Sequence, residues 1–250
     1  MTGKTILITG ASGGIGSALA RAYARPDVTL LLWGRDAARL EETATDCRSR
    51  GAHCNVERID LRDIAAQLAR LAAADAATPI DLAIFNAGLG GTPPDEAPAE
   101  TPEASRAVAE VNFLAPVTGA NAIAAAMAAR GHGQIVLIGS IAESYPLPMA
   151  PTYAATKAGL RLFAEALGIR LARHGVSVTL VSPGFIDTAM SRQVTEPKPF
   201  LMSADRAAVL IARGISARAR TIVVPWQFAV IRAMTDLLPR AVLRRVLSRR

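Results

Sequence analysis

Three side chains in the middle of the chain could together move a proton to or from a carbonyl oxygen. Tyr153-Ala-Ala-Thr-Lys157 sets a phenol and an ammonium four residues apart, and on a helix positions i and i+4 share a face. An ammonium beside a phenol favours the phenolate and draws the tyrosine pKa down from ~10 toward working pH. A proton donor for a developing alkoxide needs that tuning. The spacing alone is common by chance, so the pair gains meaning only from its company. Thirteen residues before Tyr153, Ser140 follows the apolar run Ile135–Gly139, which would set a hydroxyl at the end of a strand. Asn86-Ala87-Gly88 closes another apolar run, and Asn112 lies in the long helical segment after it.

A second group could hold phosphate. Thr9-Gly10-Ala11-Ser12-Gly13-Gly14-Ile15-Gly16 follows the first apolar run and precedes a helix expected over Ser17–Ala24. Glycines at 10, 14 and 16 allow a tight turn, close approach of backbone to a pyrophosphate, and close helix–strand packing. The free N–H groups and positive end of the helix would then meet the phosphates. A ligand-free glycine turn is the plain alternative; its place after the first strand of a βαβ unit points to a dinucleotide. The same residues fit G-x-S-x-G, the nucleophile elbow of a hydrolase, with His132 or His174 as base. That reading fails on order, because such an elbow follows several strands and draws its oxyanion hole from an earlier strand's loop.

The second strand ends Trp33-Gly34-Arg35-Asp36. An acid at the strand end would accept the ribose hydroxyls of NAD, whereas an arginine pairs with a 2′-phosphate. Arg35 falls at that end, and Asp36 reads as the N-cap of a helix over Ala37–Ser49. NADP is therefore favoured over NAD on charge complementarity. Gly13 speaks against it, since NADP enzymes often carry a second basic residue there.

The elements that must position these groups alternate along the whole chain. Strands are predicted at Thr5–Thr9, Thr29–Trp33, His53–Ile59, Leu82–Asn86, Gly133–Gly139, Ser177–Ser182 and Thr221–Val224, with helical segments between them. Runs such as Ile135-Val136-Leu137-Ile138 are apolar on both faces, as a sheet covered on both sides requires. The fold class is α/β, a doubly wound parallel sheet, Rossmann-like, of about seven strands with helices on both faces. Ligands of such a sheet bind beyond the carboxyl ends of its strands, where all the groups above fall.

On these residues the chain resembles the short-chain dehydrogenase/reductase family, from about Thr5 to Thr188. The matching motifs are T-G-x-x-x-G-x-G at Thr9–Gly16, Asp60 after the third strand, N-A-G at Asn86–Gly88, Asn112, Ser140, Y-x-x-x-K at 153–157, and Pro183-Gly184 with Thr188. The resemblance implies an NADP-dependent oxidoreductase that moves a hydride between the cofactor and a carbonyl or secondary alcohol. Tyr153 would be the acid in reduction and the base in oxidation. Lys157 would tune it and hold the nicotinamide ribose, and Ser140 would polarise the substrate carbonyl. Asn112 would bind a water linking Lys157 to solvent. Asp60 would meet the adenine amine, Asn86 would support the adenosine side, and Pro183–Thr188 would cover the nicotinamide. The cofactor contacts implied are Gly10, Ser12, Gly13, Gly14, Ile15, Gly16, Arg35, Asp60, Leu61, Asn86, Ala87, Gly88, Tyr153, Lys157, Pro183, Gly184, Ile186 and Thr188. A non-catalytic NADP-binding regulator on the same fold is the alternative, and an intact Tyr153, Lys157 and Ser140 argues against it.

Substrate-facing candidates are Leu89, Gly90, Ile141, Glu143, Tyr145, Met149, Phe185 and Met190, with Ser191–Met202 as a lid. Their mainly apolar character suggests a lipophilic small-molecule carbonyl or alcohol. The chain departs from the family after Thr221–Val224. Residues 1–225 read as one dinucleotide-binding and catalytic domain, and 226–250 as its helical extension. Trp226, Val230, Met234, Leu237 and Leu238 make one apolar stripe, and Val242, Leu243, Val246 and Leu247 another, flanked by arginines. Six arginines against one acid follow Trp226, so most of the net charge of +7 sits there and the body is no basic nucleic-acid surface. A basic amphipathic tail suits membrane-surface contact, or packing on protein. A homodimer through the Thr101–Ala129 and Tyr153–His174 helices is implied by the resemblance. Cys47 and Cys54 have neither metal-ligand nor redox-motif spacing, so no metal site is expected and a reduced, cytoplasmic setting suits them. No secretory leader or uninterrupted apolar span of ~18 residues is read at the sequence level.

Overall fold

Along β1 (Lys4–Thr9) Ile6 and Ile8 enter the core on one face and Leu7 on the other, all three fully buried. Successive strand side chains alternate, so a strand covered on both sides reads as a near-continuous apolar run. The computed structural model describes residues 3–90, 99–194 and 196–237, with side chains as far as 234.

The chain continues through α1 (Gly14–Tyr23), β2 (Val28–Gly34), α2 (Ala37–Ser49), β3 (His53–Arg58), α3 (Ile64–Ala77) and β4 (Leu82–Phe85). Next come α4 (Pro102–Ala109), a π-turn over Glu110–Leu114, α5 (Ala115–Arg130), β5 (Gly133–Ile138), a 3₁₀ turn over Ile141–Ser144, and α6 (Pro151–Leu171). The last part holds β6 (Val176–Pro183), β7 (Ile186–Asp187), α7 (Ala189–Arg192), β8 (Met202–Ser203), α8 (Ala204–Ser216), β9 (Thr221–Val224) and α9 (Gln227–Leu237). Seven strands form one parallel sheet in the order β3-β2-β1-β4-β5-β6-β9. The order reverses between β1 and β4, which opens a crevice at their carboxyl ends.

Two apolar layers hold the sheet. Ile6 and Ile8 pack with Leu19 of α1, Leu40 of α2 and Ile211 of α8. Leu7 packs on the other side with Leu71 of α3, Ile123 of α5 and Leu160 of α6. The run Pro102–Arg130 is long and apolar enough, by length and composition, to cross a membrane, which the sequence reading did not anticipate. Here it is a core helix: Ala115, Ala120, Ile123, Ala124 and Met127 are buried in the second layer.

All seven predicted strands are present, with ends moved by a residue or so. Helix α1 begins at Gly14 rather than Ser17, because the last glycines of the loop already form its first turn. The two-residue pair β7–β8 was not anticipated; it joins Ile186 to Met202 and Asp187 to Ser203. Met202, read as the end of a lid, is therefore in a strand. Residues 238–250, with the second apolar stripe and its arginines, lie outside the described residues.

Candidate active site

The glycine loop is held from behind by the end of β4. Thr9 Oγ1 accepts from the backbone N–H groups of Asn86 and Ala87 at 3.0 and 3.2 Å. Asn86 Nδ2 donates to the carbonyls of Thr9 and Gly10 at 3.1 and 3.2 Å. Gly10 has φ +67°, a left-handed conformation that favours glycine, and a β-carbon there would stand 2.7 Å from Ala87 Cα. At Gly16 a β-carbon would stand 2.2 Å from the Gly10 oxygen, so helix and strand meet with no room between them. No side chain among the described residues caps the N-terminus of α1. Its first N–H groups are thus left for an anion. Gly10, Ser12, Gly13, Gly14 and Ile15 all line one cleft of about 970 Å³, and Gly16 packs directly beneath them. Across the cleft Thr188, the cap of α7, brings its methyl toward Gly14.

At the far end of the cleft stand Arg35, Asp36, Arg39, Ile59, Asp60 and Leu61. Asp36 caps α2 by accepting from the N–H of Arg39 at 3.1 Å, so its carboxylate serves the helix. Arg39 was not singled out from the sequence. A β-carbon at Gly13 would stand 2.5 Å from Arg39 Nη2. The guanidinium thus occupies the space that Gly13 leaves open, and the second cation missing from the loop comes from α2. The signal available was Arg39 one turn after Arg35. Asp60 accepts from Arg62 Nε at 3.1 and 3.0 Å and from its N–H at 3.0 Å. These bonds hold its carboxyl below the usual range. It lines the cleft as expected, with much of its hydrogen-bonding capacity already taken.

The reactive groups converge where β4, β5 and α6 end or begin. Ser140 follows β5, caps the 3₁₀ turn by accepting from the N–H of Ala142 at 3.2 Å, and is buried. Tyr153 and Lys157 lie on the first turns of α6, and Lys157 is 4% exposed. Lys157 Nζ donates to the Ile138 carbonyl at 2.8 Å and lies 5.7 Å from the Tyr153 ring centroid, over its face. Ser140, Tyr153, Lys157 and Gly88 line the same cleft as the glycine loop. Asn112 sits in the π-turn, a rare element that recurs at functional sites. Its Oδ1 accepts from the N–H of Leu89 at 2.7 Å and its Nδ2 donates to the Leu89 carbonyl at 2.8 Å. Both ends of the amide hold the backbone after β4. The side chain therefore positions that loop.

The electrostatics also correct one expectation. Burial pushes the Tyr153 phenol above its ordinary value, with the Ser140 hydrogen bond pulling it back and Tyr145 and Glu143 pushing further up. Burial also pushes Lys157 down to about 8, against the pull of Glu143. Lys157 sits over the Tyr153 ring with its ammonium turned to the Ile138 carbonyl.

Pro183, Gly184, Phe185, Ile186 and Thr188 form one wall, and Leu89, Ile141, Tyr145, Met149 and Met190 the substrate end. Gly90 packs beneath Met190. Glu143, expected to face substrate, is instead buried behind Ser140, with Ser182 and Arg232 as partners. Of the expected lid, Ser191, Gln193, Val194, Glu196 and Pro197 reach the cleft. His132 and His174, the bases a hydrolase would need, are exposed and do not line it.

The family model described as short chain dehydrogenase matches residues 4–199. An uncharacterized oxidoreductase of Myxococcus xanthus is 33% identical, over 96% of this chain and 94% of that protein. Among solved structures, a short-chain dehydrogenase from Sphingobium yanoikuyae in complex with NADPH superposes with a TM-score of 0.82 at 27% identity, covering 95% of this chain and 97% of that one. A bulky-bulky ketone specific alcohol dehydrogenase from Comamonas testosteroni gives 0.78 at 27% identity, over 96% and 97%.

Proposed function

The chain belongs to the short-chain dehydrogenase family and is an oxidoreductase acting on a CH–OH group; from that premise we propose that it uses NADPH to interconvert a lipophilic carbonyl compound and its secondary alcohol. The observation that carries the reading is the convergence of Ser140, Tyr153 and Lys157 on the cleft that the glycine loop and the uncapped end of α1 also line. The cofactor, when bound, supplies the hydride. The loop Gly10–Gly16 and the α1 N-terminus would hold its pyrophosphate, with Asp60, Leu61, Asn86, Ala87, Gly88, Pro183, Gly184, Ile186 and Thr188 along its length. Arg35 and Arg39 would meet a 2′-phosphate, and the engagement of Asp36 with α2 speaks against NAD.

On this reading Ser140 Oγ holds the substrate oxygen, and Tyr153 gives it a proton in reduction and takes one back in oxidation. A phenol held above its ordinary pKa remains protonated at neutral pH, the state a donor needs. Lys157, fixed by the Ile138 carbonyl, would hold the nicotinamide ribose and steady the phenolate left after transfer. Asn112 keeps the Leu89 backbone in place beside them. The apolar side chains at the substrate end support a lipophilic substrate.

The test is a panel of carbonyls and alcohols followed at the nicotinamide absorbance, with Tyr153→Phe as the control. That variant should bind NADPH as wild type does and lose turnover by about 10²–10⁴-fold; comparable turnover would defeat the proposed acid.

Two surroundings belong to the same reading. Exposed Leu114, Leu162 and Ile169 on the α4–α5 and α6 helices favour a homodimer, measurable by sedimentation. Trp226, just before α9, and Val230 and Met234 on it are exposed apolar side chains. They favour contact of 226–250 with a membrane surface from the cytoplasmic side, where two free thiols are at home. Flotation with anionic liposomes tests it, and a chain that stays at the bottom of the gradient rejects it.

A further inference from the structure

A buried carboxylate stands directly behind the serine. Glu143 lies in the 3₁₀ turn that Ser140 caps, and its side chain has no exposed surface. Its Oε1 accepts from Ser182 Oγ at 2.7 Å and from Arg232 Nη1 at 2.9 Å. Its Oε2 accepts from the N–H of Ser140 at 3.4 Å. That oxygen also lies against Gly139, where a β-carbon would stand 2.6 Å from it. One carboxylate thus ties the end of β5 to β6 and to α9. A carboxylate out of water persists only when it is paired and hydrogen-bonded, and the cation that pairs it comes from α9, 89 residues along the chain.

The same helix grips the opposite wall of the cleft. Phe228 is buried and packs edge-on against Phe185 and Phe200, with ring centroids 6.1 and 5.7 Å apart. It presses on Gly184 so closely that a β-carbon there would stand 2.3 Å from the ring. Helix α9 therefore holds the Pro183–Gly184 wall through Phe228 and the serine turn through Arg232.

We propose that Glu143 is a positioning residue for the reaction, locking the turn that presents Ser140 to the substrate oxygen, and that Arg232 makes docking of α9 a condition of that lock. The proposal rests on the roles given above to Ser140 and Tyr153. It goes beyond them by assigning work to two residues that touch neither substrate nor cofactor. The groups facing Glu143 are Ser140 and Ser182 as donors, Arg232 from α9, and Arg161, Tyr153 and Lys157 from α6. Burial pushes Glu143 up, while Ser182, Arg232, Ser140 and Arg161 pull it back toward the ionised form. The anion in turn pushes Tyr153 and Lys157 up.

The experiment is the pH dependence of kcat and KM for alcohol oxidation, on the full chain, in Glu143→Gln, Arg232→Met and Arg232→Lys. Glutamine keeps the shape and the acceptor toward Ser182 and removes the charge. In Glu143→Gln, kcat should fall about ten- to a hundred-fold, as misplacement of a reacting group does, with the NADPH dissociation constant unchanged. The limb of the profile that belongs to Tyr153 should move to lower pH, because the anion favouring its protonated form is gone. Arg232→Met should lose kcat to a similar extent, and Arg232→Lys should retain most of it. Wild-type kcat in either Glu143→Gln or Arg232→Met overturns the proposal. So does a limb that stays in place in Glu143→Gln, whatever happens to kcat, since a merely structural loss would not move it. If wild type shows no limb that Tyr153→Phe removes, the reading of Tyr153 fails first, and that outcome is distinct from the others.

Discussion

Lys157 should lower the stability of the fold it serves, and replacing it should show this. The residue is 4% exposed and its pKa is pushed down to about 8 from the ordinary 10.5. At 1.36 kcal/mol per pKa unit, that difference corresponds to a penalty of ~3 kcal/mol while the lysine is charged. Lys157→Met keeps the length of the buried stem and removes the charge. It also removes the bond to the Ile138 carbonyl, whose loss costs ~1 kcal/mol. The net expectation at pH 7 is a gain of ~2 kcal/mol, or roughly 4–8 °C in Tm for a chain of this size, together with loss of turnover. The pH dependence fixes the cause. Because the folded-state pKa lies below the unfolded one, the unfolded chain binds more protons between about 8 and 10.5, and wild type gains stability as pH rises through that window. The penalty is complete below it and gone above it. Urea unfolding at pH 7 and at pH 10 measures both. A methionine variant less stable than wild type at pH 7, or one whose advantage persists at pH 10, would refute the reasoning.

Arg39→Ala should weaken NADPH binding roughly 10–100-fold, the loss of one charge-assisted contact of about 1.5–3 kcal/mol, and leave NADH within about twofold. Titration of cofactor fluorescence reads both constants, and equal losses would take Arg39 away from the 2′-phosphate; Arg35→Ala is the parallel case. Gly16→Ala drives a β-carbon to 2.2 Å from the Gly10 oxygen and 2.5 Å from Asn86 Nδ2, so it should destabilise by ~1–3 kcal/mol and abolish NADPH binding. Wild-type Tm and affinity in that variant would mean the loop yields where the packing says it cannot.

Much of the fold was legible because its signals are local. Ile6, Leu7 and Ile8 announce a strand buried on both faces by their types alone, and the runs of β4, β5 and β6 do the same, while the edge strand β3 alternates with polar residues. Asp36 reads as a helix cap before any contact is known. The four-residue spacing of Tyr153 and Lys157 sets them on one face wherever α6 lies. The pair β7–β8 escaped because two-residue strands carry no periodicity, and because Ile186 and Met202 become neighbours only when the chain returns.

What the amino-acid order determined by itself is the alternation of elements, the glycine loop after β1, and the identities of the three groups at the sheet's rim. Their surroundings were decided only in three dimensions. Arg39 fills the space beside Gly13 because α2 packs along the loop, a neighbour 26 residues away in sequence. Glu143 turned from a substrate-facing residue into a buried anchor because Ser182 and Arg232 arrive behind it from β6 and α9. The Tyr153 phenol ended above its ordinary pKa because burial outweighs the pull of the Ser140 hydrogen bond. In each case the deciding energy is electrostatic or steric and depends on distance through space, which a one-dimensional pattern does not contain.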